Sequence, residues 1–193
     1  LDKNLISFPD TCPYEGQSLQ LLCAKYDLDC PKVRLPLMID NGSGYAAKSH
    51  QIDLWDQANN SLIHIVTETV YRGQKNHLTE KSFKPLYNKH PFIIVGVPGA
   101  LKGLQELGFR TFSDFWSEEY DTLVKPEERF EAIEKIILEI ASWAPHQILD
   151  FKNRVKPILE HNYEMFREPG SIAVVNNIYK HITDNFNQEG EFS

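Results

Sequence analysis

The sequence predicts an α/β protein, a Rossmann-like parallel sheet flanked by helices, with a helical C-terminal region. Three observations carry this. Ser61-Leu-Ile-His-Ile-Val-Thr-Glu-Thr69 is rich in β-branched residues and alternates in part, which reads as a strand. Pro91-Phe-Ile-Ile-Val-Gly-Val97 is a continuous apolar run, as expected of a strand covered on both faces. A helical pattern lies between the two and another follows the second, the alternation of a parallel α/β sheet.

The elements follow in order. Residues 1–50 form the least regular part. Ser7-Phe-Pro-Asp-Thr-Cys-Pro-Tyr-Glu-Gly16 reads as loop, and Gln17–Leu28 as a short helix with Leu19, Leu22, Cys23 and Tyr26 on its apolar face. Asn41-Gly-Ser-Gly44 is a turn cluster. After the first strand, the polar stretch Tyr71–His77 reads as a loop. Thr79 is placed to cap a helix, with Glu80 and Lys81 in its first turn. Pro85 makes that helix short or bent.

After the second strand, Leu101, Leu104 and Leu107 mark the inner face of a helix closed by Gly108. Arg110-Thr-Phe112 is a short strand candidate. Asp114, Glu118, Glu119 and Asp121 form an acidic run, read as a solvated loop. A helix starts at Pro126 and presents Phe130, Ile133, Ile137 and Ile140 on one face. Ala144–Phe166 gives one or two further helices, Ser171–Phe186 another, and the last seven residues look frayed.

Composition narrows the function classes. The 193 residues suit one domain or a large domain with an appendage, and 41 % hydrophobic residues is a globular composition. The net charge is 20 − 27 = −7, so neither nucleic acid nor an anionic membrane is a general electrostatic partner. Three cysteines, Cys12, Cys23 and Cys30, make neither a disulfide framework nor a zinc site. They read as reduced thiols of a cytoplasmic protein. No apolar run approaches the ~20 residues of a membrane span. No spacing points to a metal or a cofactor, and no G-x-S-x-G elbow is present.

The place most suited to a ligand is His77-Leu-Thr-Glu-Lys81. A helix N-terminus exposes unpaired N–H groups and a partial positive charge, which suits a phosphate. Lys81 adds a mobile cation, and Arg72 and Lys75 lie in the preceding loop. Glu80 can accept hydrogen bonds from a ribose diol. Taken by itself, Thr79-Glu-Lys81 reads equally as a capped helix start. Glu68, at the strand's carboxyl end, is either a site residue or a solubilising charge. His64 reads as a half-buried histidine inside the strand.

The stretch from Ile65 to Asp121, with its strand ending in Thr67-Glu68, then Leu78-Thr-Glu-Lys-Ser-Phe-Lys-Pro85, Pro91-Phe-Ile-Ile-Val-Gly96 and Gly108-Phe-Arg-Thr-Phe112, resembles the C-terminal, donor-binding half of fucosyltransferase-like glycosyltransferases. It resembles still more closely their relatives in marine phages and metagenomes. The match covers about a third of the chain and lies in the order and spacing of the pieces.

The resemblance implies a domain of two-Rossmann type whose partners are a GDP- or UDP-sugar donor and a glycan acceptor. It implies that Glu80 holds the ribose, that Lys81 contacts the diphosphate and that Glu68 shapes the donor pocket. Arg72 and Lys75 join the substrate-binding set on charge and position, and Thr79 as the helix cap. The domain plan is then an irregular segment over 1–50, a nucleotide-sugar-binding unit over 51–145 and C-terminal helices over 146–193. The start at Leu1 and the short N-terminal segment point to a piece of a larger enzyme whose catalytic base lies elsewhere. No catalytic residue is therefore expected here, and this chain alone is expected to be inactive. The alternative is a non-catalytic nucleotide- or carbohydrate-recognition module, associated with a phage particle.

Overall fold

The structure is a computed structural model that describes residues 16–25, 27, 60–73 and 78–167. The chain divides into two compact units, Leu1–Ser61 and Leu62–Ser193. In the first, the described residues form helix α1 (Leu19–Lys25), which buries Cys23 as a free thiol and leaves Leu21 exposed. The Asn41–Gly44 turn, Cys12 and Cys30 lie outside the described residues, as do Lys75, His77 and the expected helix over 171–186.

The second unit is a mixed α/β fold around a small parallel sheet. Strand β1 (His64–Thr67) pairs in parallel with β2 (Phe92–Val95), with His64 opposite Phe92 and Thr67 opposite Val95. Helix α2 (Glu80–Tyr87) makes the crossover between them, as parallel strands require. Phe92, Ile93 and Ile94 are each 1 % exposed, in keeping with the unbroken apolar run that predicts a covered strand.

Two helix termini show why the chain turns where it does. Thr79 caps α2 from an extended backbone, its hydroxyl accepting from Lys81 N at 3.3 Å. Pro85 sits inside α2, and the helix runs only two residues beyond it. Helix α3 (Ala100–Glu106) ends at Gly108, whose φ of +94° is open to glycine at little cost. A Cβ there would also come within 2.9 Å of the Met165 side chain.

A 3₁₀ turn (Glu119–Thr122) leads to α4 (Pro126–Ala141), which starts on Pro126 and carries Glu127 and Glu128 in its first turn. The expected inner face of α4 holds at Ile133 and Ile140 and is displaced by one residue at the other two positions. Arg129, Ile133, Ile136 and Ile140 are buried, while Phe130 is 55 % exposed and Ile137 is half-buried. Ile133 and Ile140 satisfy a repeat of three to four residues with either set of neighbours, and placing a charged residue outside favours Phe130 over Arg129. Arg129 is the largest fully buried side chain among the described residues.

The described part of the C-terminal region, up to Arg167, is helical, as the sequence predicts. A single helix, α5 (Pro145–Arg167), runs through Pro157 and packs on α2. Lys89 makes an ion pair with Glu160 at 2.6 Å and lies over the Tyr163 ring. Arg110–Phe112 forms no strand. Asn162 of α5 takes the place of a pairing strand there, its Oδ1 accepting from Arg110 N at 2.7 Å and its Nδ2 donating to Arg110 O at 2.9 Å. A side-chain amide sets an N–H donor beside an acceptor oxygen as a peptide unit does, so it closes this edge.

The core lies between the sheet and the helices. Phe92, Phe112, Trp116 and Phe151 form its aromatic centre, with Phe92 and Phe112 edge to face at 4.9 Å between centroids.

Candidate functional site

The candidate site grows from the carboxyl end of β1, where parallel α/β sheets hold their ligands. Glu68 follows the last residue of β1, and its N–H still donates to Val95 O at 2.9 Å. Its side chain turns inward beneath the start of α2 and is 7 % exposed. Oε1 accepts from Thr79 N at 3.0 Å and from Ser82 Oγ at 2.5 Å, and Oε2 accepts from Thr79 Oγ1 at 2.6 Å. Glu68 is therefore no solubilising charge. It is a carboxylate clasp that holds the helix N-terminus against the strand end, using the affinity of helix N-termini for negative charge. A Cβ at Gly96 would meet the Glu68 stem at 3.5 Å, an ordinary contact, and the Ile94 side chain more tightly at 3.3 Å.

Above the clasp, Lys81 Nζ donates to Thr69 Oγ1 at 2.8 Å on the exposed side. That bond sets a cation over the first turn of α2 and one residue beyond Glu68. Arg72 is exposed in the same loop. The structure thus brings Glu68, Thr79 and Lys81 together. Glu80 begins α2, and Lys75 lies outside the described residues. The sequence reading does not name Thr69 and Ser82, which complete the arrangement. Ser82 has a signal in its spacing, three residues after the capping Thr79.

The loop beyond Thr69 is tied to α4. Tyr71 OH donates to Pro126 O at 2.8 Å. Arg129, 1 % exposed, donates to the carbonyls of Tyr71, Leu123 and Val124 and lies 4.3 Å from the Tyr71 ring centroid.

Two members of the acidic run are structural acceptors, in contrast with the solvated loop the sequence suggests. Asp121 is 9 % exposed and takes Leu101 N and Lys102 N at 3.0 and 3.1 Å, closing the N-terminus of α3. Burial pushes its pKa up, against the pull of those N–H groups. Glu118 accepts from Thr111 Oγ1 at 2.7 Å and Phe112 N at 2.6 Å, and burial likewise raises its pKa. Asp114 and Glu119 are exposed, as expected. A run of like charges hides these roles because the N–H groups that need an acceptor lie up to twenty residues away.

At the opposite end of the sheet, burial lowers the His64 pKa from 6.5 to about 4, with help from His90 and Lys84. The neutral ring is the form that fits. Below pH 6.5 the unfolded chain takes up a proton that the fold resists, so this residue's contribution to stability is lost as pH falls from 6.5 towards 4. The full loss is about 3 kcal/mol at 1.36 kcal/mol per unit. The raised carboxylates Glu118 and Asp121 act in the other sense, so the difference between two proteins isolates the histidine. His64→Gln is expected to retain more of its neutral-pH stability at pH 4.5 than the parent does, read by urea unfolding. Parallel pH profiles for the two proteins would refute this.

Among the described residues no helix is long and apolar enough to cross a membrane, and no group of three or more His, Cys, Asp or Glu could hold a metal ion. No protein-family model, no curated protein and no solved structure matches this chain.

Proposed function

We propose that the unit from Leu62 onward is the donor-binding part of a fucosyltransferase-like glycosyltransferase, its parallel sheet belonging to a Rossmann-like domain. It takes a nucleoside-diphosphate sugar, with GDP or UDP as the nucleotide, and serves transfer to a glycan acceptor. The observation that carries the reading is the Lys81 ammonium, tethered to Thr69 at the carboxyl end of β1 on the first turn of α2. A cation held there is placed to balance a diphosphate and to steady it as a leaving group. Arg72, exposed in the adjoining loop, adds a second cation. Glu80 takes the ribose hydroxyls, and Glu68 and Thr79 act beneath the ligand by fixing the helix start. No residue is assigned to acid or base chemistry.

Calorimetric titration of the purified chain with GDP and with UDP tests this. One of the two is expected to bind, and Lys81→Ala to weaken it roughly tenfold, the worth of one charge-assisted hydrogen bond. Absence of heat for either nucleotide at about millimolar concentration, the weak end of the affinity scale, ends the proposal.

A further inference from the structure

We propose that the outer face of α4 docks a basic, amphipathic helix of a protein partner. The inner face of α4 is settled by Arg129, Ile133, Ile136 and Ile140. Opposite it lie Glu127, Phe130, Glu131, Glu134 and Leu138, spaced i, i+3, i+4, i+7 and i+11, which is one stripe of a helix. Phe130 is 55 % and Leu138 62 % exposed, although both point away from the core. They stand eight residues apart, about 12 Å along the axis at 1.5 Å per residue. That spacing matches apolar side chains two turns apart on a second helix.

The charges select the partner. Glu127, Glu131 and Glu134 are exposed and make no ion pair among the described residues, whereas the neighbouring Glu128 is paired with Lys125 at 2.7 Å. Three like charges on one stripe repel one another, and the nearby cations Arg72 and Lys125 stand at the N-terminal end of the stripe. The chain as a whole carries −7. Such a face turns away anionic lipid and nucleic acid and favours a basic polypeptide.

A shallow, open depression of about 310 Å³ lies at the N-terminal end of the stripe, lined by Tyr71, Arg72, Pro126, Glu127, Phe130 and Glu131. The Tyr71 ring is fixed by its bond to Pro126 O and by the Arg129 guanidinium, so this wall needs no ordering on binding. A lysine or arginine of the partner lays its methylenes on Pro126 and Phe130 and puts its charge between Glu127 and Glu131. With Arg72 counted, the two carboxylates still leave the lining negative.

The test uses the full chain and a labelled synthetic helix of about 15 residues, long enough to hold a helix, with leucines on one stripe and lysines elsewhere. Fluorescence anisotropy is expected to show binding that weakens at least tenfold between about 50 and about 500 mM salt, as contacts between exposed charges do. Phe130→Ser/Leu138→Ser should weaken it about tenfold or more, the worth of burying such side chains. Glu127→Gln/Glu131→Gln/Glu134→Gln should flatten the salt dependence. All five positions are exposed, and unchanged thermal melting of each variant shows that the fold is kept. The proposal is overturned if the same peptide with glutamates for lysines binds as well. It is equally overturned if both variants bind like the parent, or if the parent forms a dimer that Phe130→Ser/Leu138→Ser abolishes, which would make the occupant a second copy.

Discussion

Arg129→Met is expected to lower the stability of the second unit by about 3 to 4 kcal/mol, because it strips donors from three backbone carbonyls at once. Arg129 reaches Leu123 O at 2.6 Å, Tyr71 O at 2.5 Å and Val124 O at 3.3 Å. Val124 is 63 % exposed, so water can replace the guanidinium there. Tyr71 and Leu123 are half-buried, so water replaces the guanidinium there less readily. Two unsatisfied acceptors at ~1–3 kcal/mol each, together with the lost stacking on Tyr71 at ~1 kcal/mol, outweigh the relief of freeing a buried charge. Arg129→Lys should recover only a part, since an ammonium is a point charge and cannot fork to carbonyls on two segments. Urea unfolding gives the number, and a loss below about 1 kcal/mol for the methionine variant would mean that the carbonyls find other partners.

Arg129 also shows where sequence reading stops. Periodicity assigns α4 and its start at Pro126, and the helix is there. It does not reveal that a guanidinium belongs inside, because the partners are backbone carbonyls, and these leave no mark in a sequence. Asp121 and Glu118 escape for the same reason. Each answers N–H groups at a distant turn, and among neighbouring acids they look solvated. Asn162 is a third case, closing the edge at Arg110 where a strand is expected. The parallel pair β1 and β2 is legible because a whole run of apolar residues announces it. Thr79 is legible because a helix cap is local. The site is visible in the sequence as far as it is built from such local signals. The inward turn of Glu68 is not, since its partners Thr79 and Ser82 lie 11 and 14 residues further along the chain, across the loop.

Glu68 is the residue on which stability and the proposed site meet, and its substitutions tell the two apart. Glu68→Ala leaves Thr79 N–H and the Thr79 and Ser82 hydroxyls without their acceptor; Ser82 is fully buried. Hydrogen bonds to a charged acceptor are worth about 1.5 to 3 kcal/mol each, and sparing the burial of a carboxylate returns part of that, so a loss of about 3 kcal/mol is expected. Glu68→Gln keeps the shape and the one acceptor oxygen that Thr79 N–H and the Ser82 hydroxyl share, and the Thr79 hydroxyl can turn to accept from its amide. Its expected cost is about 1 kcal/mol. If the clasp acts only beneath the ligand, Glu68→Gln should bind nucleotide within about twofold of the parent, because α2 still starts at Thr79 and Lys81 still reaches Thr69. Glu68→Ala should weaken nucleotide binding together with stability, as the first turn of α2 loosens. A Glu68→Gln protein that melts like the parent and binds nucleotide at least tenfold more weakly would give the opposite answer. The carboxylate would then have to leave Thr79 and Ser82 to meet the ligand, and the start of α2 would be rebuilt on binding.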